Sequence, residues 1–401
     1  MSYEIVERCA CCSGDVEEIL DLGQQPLANN LINEAADPYE KYDLKLNLCK
    51  NCYHTQLSIA VDPALLYENY LYISGTSRTL RMEFDRISKV LVEKVNIPNP
   101  SVLDIASNDG TFLKSFQKIG CATLGVEPAK NISKMANEAG IETLNCFFGS
   151  KECRNLIQNK EFDLITAFNV LAHIPNPLEF IIDAKNLLSD NGVMAIQTSQ
   201  KDMFYNGEFD TIYHEHHYFY SIKSFSELCK RAGLYVDEVM FPSIHGNSYL
   251  FIVSKNPAND NAAIFIEQEE KKGRYSKPLY VNFTNNIEKN KDFNLSMLKD
   301  LEEEGYYLIG YGAAAKAIVM LNYYNLRLEY IVDENPLKYN KIIPNLNTQI
   351  IQLTDVGEII KNKKPCFIIL AWNFFSEISN KIDKIYPHSK KIVLMPNYEE
   401  K

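Results

Sequence analysis

Proton-handling side chains crowd one short segment of the chain, DTIYHEHHYFYS, at residues 210–221. Within eight of its residues lie Tyr213, His214, Glu215, His216, His217 and Tyr220. Proton abstraction beside a carbonyl group requires a base with a pKa near neutrality and hydrogen-bond donors to the enolate oxygen, and this set can supply both. A metal site is an alternative, although the H-E-x-x-H spacing of helical zinc sites is absent. A histidine-rich surface loop without chemistry is the third interpretation that these residues leave open.

Paired cysteines near the N-terminus predict a second site, one that binds a metal. Cys9 and Cys12 form one Cys-x2-Cys pair, and Cys49 and Cys52 form another. In a reducing compartment such close pairs indicate metal ligands rather than disulfides. Cys11 is left out, because only Cys9 stands at the required distance from Cys12. Four thiolates complete a tetrahedral zinc site and leave no open position, so the predicted zinc is structural.

A glycine-poor turn follows the strand pattern at residues 102–113, VLDIASNDGTFL. Glu127 ends the next strand, where an acidic residue can bind the hydroxyl groups of a ribose. Ala106 and Asn108 occupy positions where the dinucleotide fingerprint has glycines, and only Gly110 remains. A ligand without phosphates, such as S-adenosylmethionine, needs those glycines less than a pyrophosphate does. An ordinary strand-to-helix turn is the alternative.

A second turn, LIGYGAAAKA, fits the dinucleotide fingerprint better. Gly310, Gly312 and Ala315 form G-x-G-x-x-A after a strand, and Asp333 ends the next strand. This pattern supports a rival function, that of an NAD-dependent sugar oxidoreductase. A Rossmann-like domain whose turn binds nothing would show the same residues.

The composition limits the class of protein. The 401 residues are 46% hydrophobic and 23% charged, which predicts a globular protein of two or three domains. A net charge of −11 argues against a protein held by nucleic-acid phosphates. No apolar run approaches the ~18 residues of a membrane helix, and no secretory signal is seen, so a cytoplasmic protein is expected.

Strand and helix patterns alternate in two parts of the chain, which predicts an α/β fold with parallel sheets and helices on their faces. In the first part, strands are predicted at 101–106, 122–128, 162–168 and 192–199, with helices at 110–120 and from Ile132. A similar unit starts near Gly305, with strands predicted within 306–311, 328–336, 365–374 and 390–396. The polar stretch 256–300 predicts a helical connector.

Ordered blocks along almost the whole chain resemble a known family, the S-adenosylmethionine-dependent C-methyltransferases of deoxysugar biosynthesis. Members act at carbon 3 of nucleotide-linked 4-keto-6-deoxy sugars. The blocks are the two cysteine pairs with LDLGQQPLANNLI between them, YLYISGTSRT, VLDIASNDGTFL, FNVLAHIPN, IYHEHHYFYS, SIHGNS, GYGAAAKA, VDENPLKYNK and LAWNF. The resemblance implies a zinc-binding domain at 1–60, a class I methyltransferase domain at 61–255, a helical connector at 256–300 and a C-terminal Rossmann-like domain at 301–401.

The resemblance also implies the roles of individual residues. In its active site His216 would be the base, Glu215 would orient that imidazole, and hydroxyls of tyrosines together with His173 would donate to the enolate oxygen. The implied tyrosines are Tyr213 and either Tyr70 or Tyr72, with Tyr72 preferred. The implied methyl-donor contacts are Asp104, Ala106, Ser107, Asn108, Gly110, Glu127, Pro128 and Asn169, with Glu127 on the ribose. One departure is Asn247 in IHGNS, where a second glycine is expected.

The expected partner is therefore a nucleotide-linked sugar that enters between the methyltransferase and C-terminal domains. No nucleic acid and no membrane are expected, and the chain should be a monomer or a small homo-oligomer. Methylation of a sugar oxygen or nitrogen is a close alternative that would need no neighbouring ketone. A zinc-dependent scaffold without turnover is an alternative of another class.

Overall fold

The computed structural model describes residues 2–67, 74–76, 78–199, 201–242, 248–256, 261–361, 363–396 and 399–400. Tyr70, Tyr72 and Asn247 lie outside the described residues. Within these ranges, none of the helices has the length and apolar character needed to cross a membrane.

The N-terminal part is an antiparallel sheet attached to a small strand pair. Its elements are β1 (Tyr3–Ile5), β2 (Val16–Pro26), β3 (Lys41–Cys49), β4 (Thr55–Leu57), β5 (Ile59–Val61), α1 (Pro63–Tyr67) and α2 (Arg78–Val95). Strands β2, β3 and β4 pair in sequence order, and β1 pairs with β5. Leu44, Leu46 and Leu48 are buried because alternate residues of a strand face the same side.

The middle part carries the first predicted strand-and-helix unit. Its strands are β6 (Ser101–Ile105), β7 (Ala122–Val126), β8 (Thr143–Leu144), β9 (Phe162–Phe168), β10 (Leu188–Thr198), β11 (Tyr218–Phe219), β12 (Tyr235–Met240) and β13 (Tyr249–Ser254). Its helices are α3 (Thr111–Gln117), α4 (Lys130–Glu138), α5 (Lys151–Ile157), α6 (Pro177–Leu187), α7 (Met203–Asn206) and α8 (Ile222–Arg231).

The main sheet of this part has the strand order β12–β13–β10–β9–β6–β7–β8. Neighbours from β10 to β8 run parallel, as predicted, whereas β13 and β12 add an antiparallel edge that the sequence patterns did not predict. The predicted α/β fold is confirmed, with helix ends that differ from the predicted ones by a few residues.

Strand β11 lies in the middle part of the chain but belongs to the N-terminal sheet. Tyr218 pairs with Gln56 and Phe219 with Thr55, so β11 becomes the strand next to β4. Helix α8 then starts at once, because Ser221 and Ser224 form a reciprocal capping box. The histidine segment that precedes β11 is thereby held between the N-terminal sheet and the middle part.

The C-terminal part repeats the strand-and-helix alternation after a helical connector. It contains α9 (Asn261–Lys271), α10 (Lys277–Glu303), β14 (Tyr306–Tyr311), α11 (Ala315–Tyr324), β15 (Tyr330–Val332), β16 (Ile342–Ile343), β17 (Thr348–Ile351), α12 (Val356–Ile360), β18 (Lys364–Ile369), α13 (Phe375–Asp383), β19 (Lys390–Val393) and β20 (Glu399–Glu400). The strand order is β16–β17–β15–β14–β18–β19–β20, parallel at its centre. The domain limits at residues 60, 255 and 300 stay predictions.

Candidate functional site

The two cysteine pairs form matching turns. In each, the residue after the second cysteine has a left-handed backbone, with φ of 60° at Ser13 and 57° at Tyr53. Its N–H donates to the carbonyl oxygen of the first cysteine of the pair, at 2.8 Å for Ser13 and 3.2 Å for Tyr53. Each turn therefore presents two thiols to the same side.

The thiols converge with the geometry of a tetrahedral metal site. The Sγ atoms of Cys9, Cys12, Cys49 and Cys52 all lie within 4.8 Å of one another. Cys9 and Cys52 are 3.6 Å apart, and Cys12 and Cys49 are 3.4 Å apart. Zn–S bonds of ~2.3 Å place tetrahedral sulfurs about 3.8 Å apart, so these four residues fit zinc. The predicted ligand set is confirmed, and Cys11, although buried, is outside it.

The turn after β6 has the backbone of a glycine-rich loop without its glycines. Ala106 has φ of 55°, Asn108 has φ of 52° and Gly110 has φ of 75°. Asparagine tolerates this left-handed conformation, but alanine is strained there by roughly 1 kcal/mol. Backbone strain of this kind concentrates at functional sites, which supports a ligand-binding turn.

Glu127 holds that turn in place. Its carboxylate accepts the N–H of Asn108 at 3.0 Å and the N–H of Ala129 at 2.9 Å. Burial raises the pKa of Glu127, and these two N–H groups oppose the rise. Pro128, next along the chain, accepts the side-chain amide of Asn145 through its carbonyl oxygen at 2.8 Å. The predicted ribose contact of Glu127 stays a prediction, beside this visible role in shaping the loop.

Asp104 lies beneath the turn and is buried. Thr166 donates its hydroxyl to the Asp104 carboxyl group at 2.6 Å. Burial raises the pKa of Asp104 to about 7, and the hydrogen bond from Thr166 only partly opposes that rise. Its side chain therefore supports the turn from the sheet.

Buried polar atoms without partners mark the same edge of the sheet. Within the described part of the chain, no hydrogen bond reaches Ser107 Oγ, Asn169 Oδ1, Thr198 Oγ1 or either side-chain polar atom of Gln197. Such atoms in a folded protein call for a ligand or water. They follow or end β6, β9 and β10, where ligands of open α/β sheets bind. The site therefore fits a polar methyl donor. Gln197 and Thr198 were missed by the sequence analysis, since no motif marks them.

The histidine segment is a turn and not a strand. Nδ1 of His216 lies 2.9 Å from the carbonyl oxygen of Thr211. A carbonyl oxygen can only accept a hydrogen bond, so Nδ1 carries a proton and donates it to this bond. The other ring nitrogen, Nε2, accordingly accepts the hydroxyl of Tyr213 at 2.8 Å. Burial, aided by the nearby ring of His173, lowers the pKa of His216 well below its ordinary value of 6.5. His216 is thus a neutral imidazole whose acceptor nitrogen is Nε2.

His173 lies beside His216, with ring centroids 4.9 Å apart. Burial lowers the pKa of His173 to about 4, and a hydrogen bond to the backbone carbonyl of Glu215 partly opposes this fall. The N–H of a neutral His173 is used in that bond, which leaves this ring only an acceptor nitrogen. The expectation that His173 donates to an enolate oxygen stays a prediction, and it would require this bond to be exchanged when the substrate binds. His173 also follows Asn169 by four residues, so one short segment connects the edge of the sheet that carries the partnerless polar atoms to the histidines.

The expectation that Glu215 orients His216 is wrong, because Thr211 and Tyr213 occupy both ring nitrogens. The Glu215 carboxylate instead accepts the side-chain amide of Asn29 at 2.8 Å. Burial raises the pKa of Glu215, and the bond from Asn29 opposes that change. Asn29 belongs to the block LANN of the N-terminal part, to which the sequence analysis assigned no role.

The remaining two histidines of the segment, His214 and His217, are buried in the packed interior. His214 packs edge-on against Tyr42 of the N-terminal sheet, with centroids 5.9 Å apart. His217 is buried, and neither of its ring nitrogens has a hydrogen-bond partner among the described residues. Burial lowers the pKa of His214 to about 4 and that of His217 to about 3.

The C-terminal part reaches the same segment. Trp372 donates its indole N–H to Asp210 at 2.8 Å, and Lys316 lies 5.0 Å from the centre of the Trp372 ring. The charge of Lys316 also contributes to lowering the pKa of His216. Both residues come from recognisable blocks, LAWNF and GYGAAAKA, but the sequence alone did not place them beside the histidines.

The second glycine turn is explained by packing. A Cβ on Gly310 would lie 2.6 Å from Ile331, and one on Gly312 would lie 2.8 Å from the Cβ of Ala371. Asp333, which ends the next strand, accepts the N–H of Ala313 at 2.8 Å and lies 3.4 Å from the ammonium group of Lys338. These glycines are required by the fold, so they are no evidence for a dinucleotide.

Three family models match successive parts of the chain. They describe a zinc binding domain at residues 9–67, a methyltransferase domain at 72–239 and a C-methyltransferase C-terminal domain at 243–396. The chain is 24% identical over 386 residues to the C-methyltransferase NovU of Streptomyces niveus, with 93% of this chain and 91% of that protein covered.

Other relatives match a smaller share of the chain. The ubiquinone biosynthesis O-methyltransferase of Glaesserella parasuis serovar 5 (strain SH0165) is 32% identical over 106 residues, which cover 24% of this chain and 44% of that protein. Among solved structures, magnesium protoporphyrin IX methyltransferase from Synechocystis PCC 6803 with bound SAM is 12% identical. That likeness covers 48% of this chain and 89% of the other, with a TM-score of 0.36.

Proposed function

Because the chain belongs to the family of S-adenosylmethionine-dependent C-methyltransferases with an N-terminal zinc-binding domain, we propose that it methylates carbon 3 of a nucleotide-linked 4-keto-6-deoxy sugar. His216 removes the proton from that carbon, which lies beside the ketone. A cytoplasmic location and a monomer or small homo-oligomer are part of the same proposal.

The observation that carries this proposal is the hydrogen bonding of the His216 ring. Its N–H is committed to the Thr211 carbonyl, so Nε2 is an acceptor, and its lowered pKa keeps it neutral. A general base must be unprotonated before it acts. Proton removal makes the imidazole cationic in a buried site, and the developing enolate compensates because an opposite charge nearby favours the charged form.

Tyr213 is the donor that can stabilise the enolate. In this structure its hydroxyl donates a hydrogen bond to Nε2 of His216 at 2.8 Å. When the substrate binds, the hydroxyl turns to the ketone oxygen and leaves Nε2 to take the proton. One tyrosine thereby covers the base at rest and supplies the oxyanion donor during the reaction.

The turn from Asp104 to Gly110 and the edge marked by Asn169 would hold S-adenosylmethionine. That donor would supply the electrophilic methyl group to the enolate carbon, with S-adenosylhomocysteine as the leaving group. The protein contributes positioning, since one short segment carries both Asn169, at the edge of the sheet, and His173, whose ring lies beside His216. The zinc of the four cysteines stabilises the N-terminal fold and has no open position for substrate.

The test is mass spectrometry of turnover in deuterated water. The enzyme is mixed with a panel of nucleotide-linked 4-keto-6-deoxy sugars, with and without S-adenosylmethionine. The expected result is deuterium at the carbon beside the ketone without the methyl donor, and one added methyl group with it. His216→Gln should slow the exchange at least ~100-fold, as the loss of a general base does.

A matched control is His173→Gln, which changes the neighbouring imidazole and keeps His216. If that variant alone loses exchange, His173 is the base and the assignment to His216 is wrong. If no keto sugar exchanges or gains mass with the wild-type enzyme, the proposed substrate class is wrong. Methyl transfer to a sugar without a ketone would instead identify oxygen or nitrogen methylation.

A further inference from the structure

A cavity of about 440 Å³ opens between the N-terminal part and the histidine segment. Its polar wall includes Asn29, Asn30, Glu40 and Glu215, and its apolar wall includes Leu27 and Leu66. The volume falls within the ~300–1,000 Å³ range of small-molecule sites. Nothing in the sequence analysis predicted a cavity here, because its lining comes from segments far apart in the chain.

Glu215 is the residue of the histidine segment that lines this cavity. This carboxylate is buried in the histidine segment, one residue before His216, and it also lines the cavity. Asn29, which also lines the cavity, donates its side-chain amide to Glu215 at 2.8 Å. A molecule in the cavity therefore touches the segment that carries the base, and it also touches the zinc-binding part of the chain.

The chemistry of the wall selects the kind of ligand. Among the described lining residues there is no lysine or arginine, and Glu40 and Glu215 would repel a phosphate group. Amide and carboxylate groups are well suited to hydroxyl groups, which donate and accept hydrogen bonds. Leucine side chains suit the C–H faces of a ring. A neutral, hydroxylated ring with an apolar face matches this wall, and a diphosphate does not.

We infer that this cavity holds the sugar ring of the substrate, and that the zinc-binding part of the chain selects the sugar through Asn30 and Glu40. The inference rests on the proposed function for the identity of the sugar. The sequence analysis expected entry between the methyltransferase and C-terminal domains. The inferred site places the sugar end against the N-terminal part, and the phosphates lie outside the acidic wall.

Asn30→Leu tests the inference, because its amide lines the cavity and makes no side-chain bond to the proposed base. The control is Asn33→Leu, on the same loop but outside the cavity. The Asn33 side chain accepts a hydrogen bond from the ammonium group of Lys341. Asn30 is exposed in the structure, and a bound sugar would cover its amide. Asn30→Leu should therefore raise KM for the methylated nucleotide-linked sugar about tenfold, as the loss of one hydrogen bond to a ligand does. It should leave kcat and the affinity for the matching nucleoside diphosphate within about twofold.

A second measurement does not depend on turnover. Saturation-transfer NMR with free 6-deoxyglucose at millimolar concentration should give a signal with wild type and with Asn33→Leu, and a weaker signal with Asn30→Leu. An unchanged signal in Asn30→Leu, or none with wild type, overturns the inference. If the sugar signal depends on Asn30 but no keto sugar is methylated, the cavity assignment stands and the proposed function fails. If methylation occurs and Asn30→Leu leaves KM unchanged, the proposed function stands and the cavity assignment fails.

Discussion

Lowering the pH should destabilise the protein through its buried histidines. Burial lowers the pKa of His173 and His214 to about 4 and that of His217 to about 3, from an ordinary value of 6.5. The unfolded chain restores a pKa of about 6.5, so it binds more protons than the folded chain between these values. The stability contributed by neutral histidines is therefore complete above about pH 6.5 and is lost as the pH falls through the folded-state pKa.

The magnitude follows from the size of the pKa difference. A fall from 6.5 to about 4 corresponds to about 3 kcal/mol for His173, at 1.36 kcal/mol per unit. Three such rings contribute a slope of up to ~4 kcal/mol per pH unit between about pH 6 and pH 4.5. Buried carboxyl groups with a raised pKa, such as Asp104 at about 7, act in the opposite direction and each subtract up to about 1.4 kcal/mol per pH unit. The histidine contribution is large beside a total stability of roughly 5–15 kcal/mol, so the variant test isolates one histidine at a time.

The assay is urea unfolding, at constant zinc concentration, over the range from about pH 7.5 to about pH 5. His217→Leu is the test variant, because the ring nitrogens of His217 have no partners among the described residues. Leucine should raise stability at neutral pH and lower the slope by about 1.4 kcal/mol per pH unit, the value for one proton. His388→Gln is the control, because His388 is exposed. A slope that is the same in His217→Leu and in the wild-type protein would refute the reasoning.

Three further changes have expected outcomes. Tyr213→Phe should slow deuterium exchange of the keto sugar by about 100-fold, as loss of an oxyanion donor does, while the affinity for S-adenosylmethionine, measured by calorimetry, stays unchanged. Cys49→Ser should release zinc, measured by atomic absorption, and unfold the N-terminal part, whereas Cys11→Ser should retain the metal. Gly312→Ala should lower the melting temperature more than Gly305→Ala. Both glycines have positive φ, but only at Gly312 would the added Cβ meet another atom within 4 Å.

Local patterns predicted the elements and the metal site well. Cys-x2-Cys spacing is a property of one tight turn, and each of the two turns carries its own left-handed residue, Ser13 or Tyr53. Ala106 and Asn108 were identified because they occupy glycine positions of a turn, and the structure gives them a glycine-like backbone. In each case the relevant interactions lie within a few residues, so the sequence carries them directly.

The roles around the base were predicted less well. The histidine, carboxylate and tyrosine segment was identified, but the sequence could not show which group would meet which ring nitrogen. The acceptor for His216 is a backbone carbonyl, at Thr211, and a backbone atom leaves no trace in residue type. Glu215 accepts a hydrogen bond from Asn29, although its position next to His216 in the chain had suggested a direct bond between Glu215 and His216.

Residue type and spacing thus determined the α/β fold, the four zinc ligands and the segments that carry chemistry, because strand alternation, tight turns and motif spacing are short-range properties. The tertiary structure decided which segments meet. Asn29 bonds to Glu215 across 186 positions and Trp372 to Asp210 across 162 positions. Such contacts depend on how β11 joins the N-terminal sheet and how the C-terminal part packs against the middle one. Those long-range choices follow from burying complementary surfaces, which no local pattern encodes.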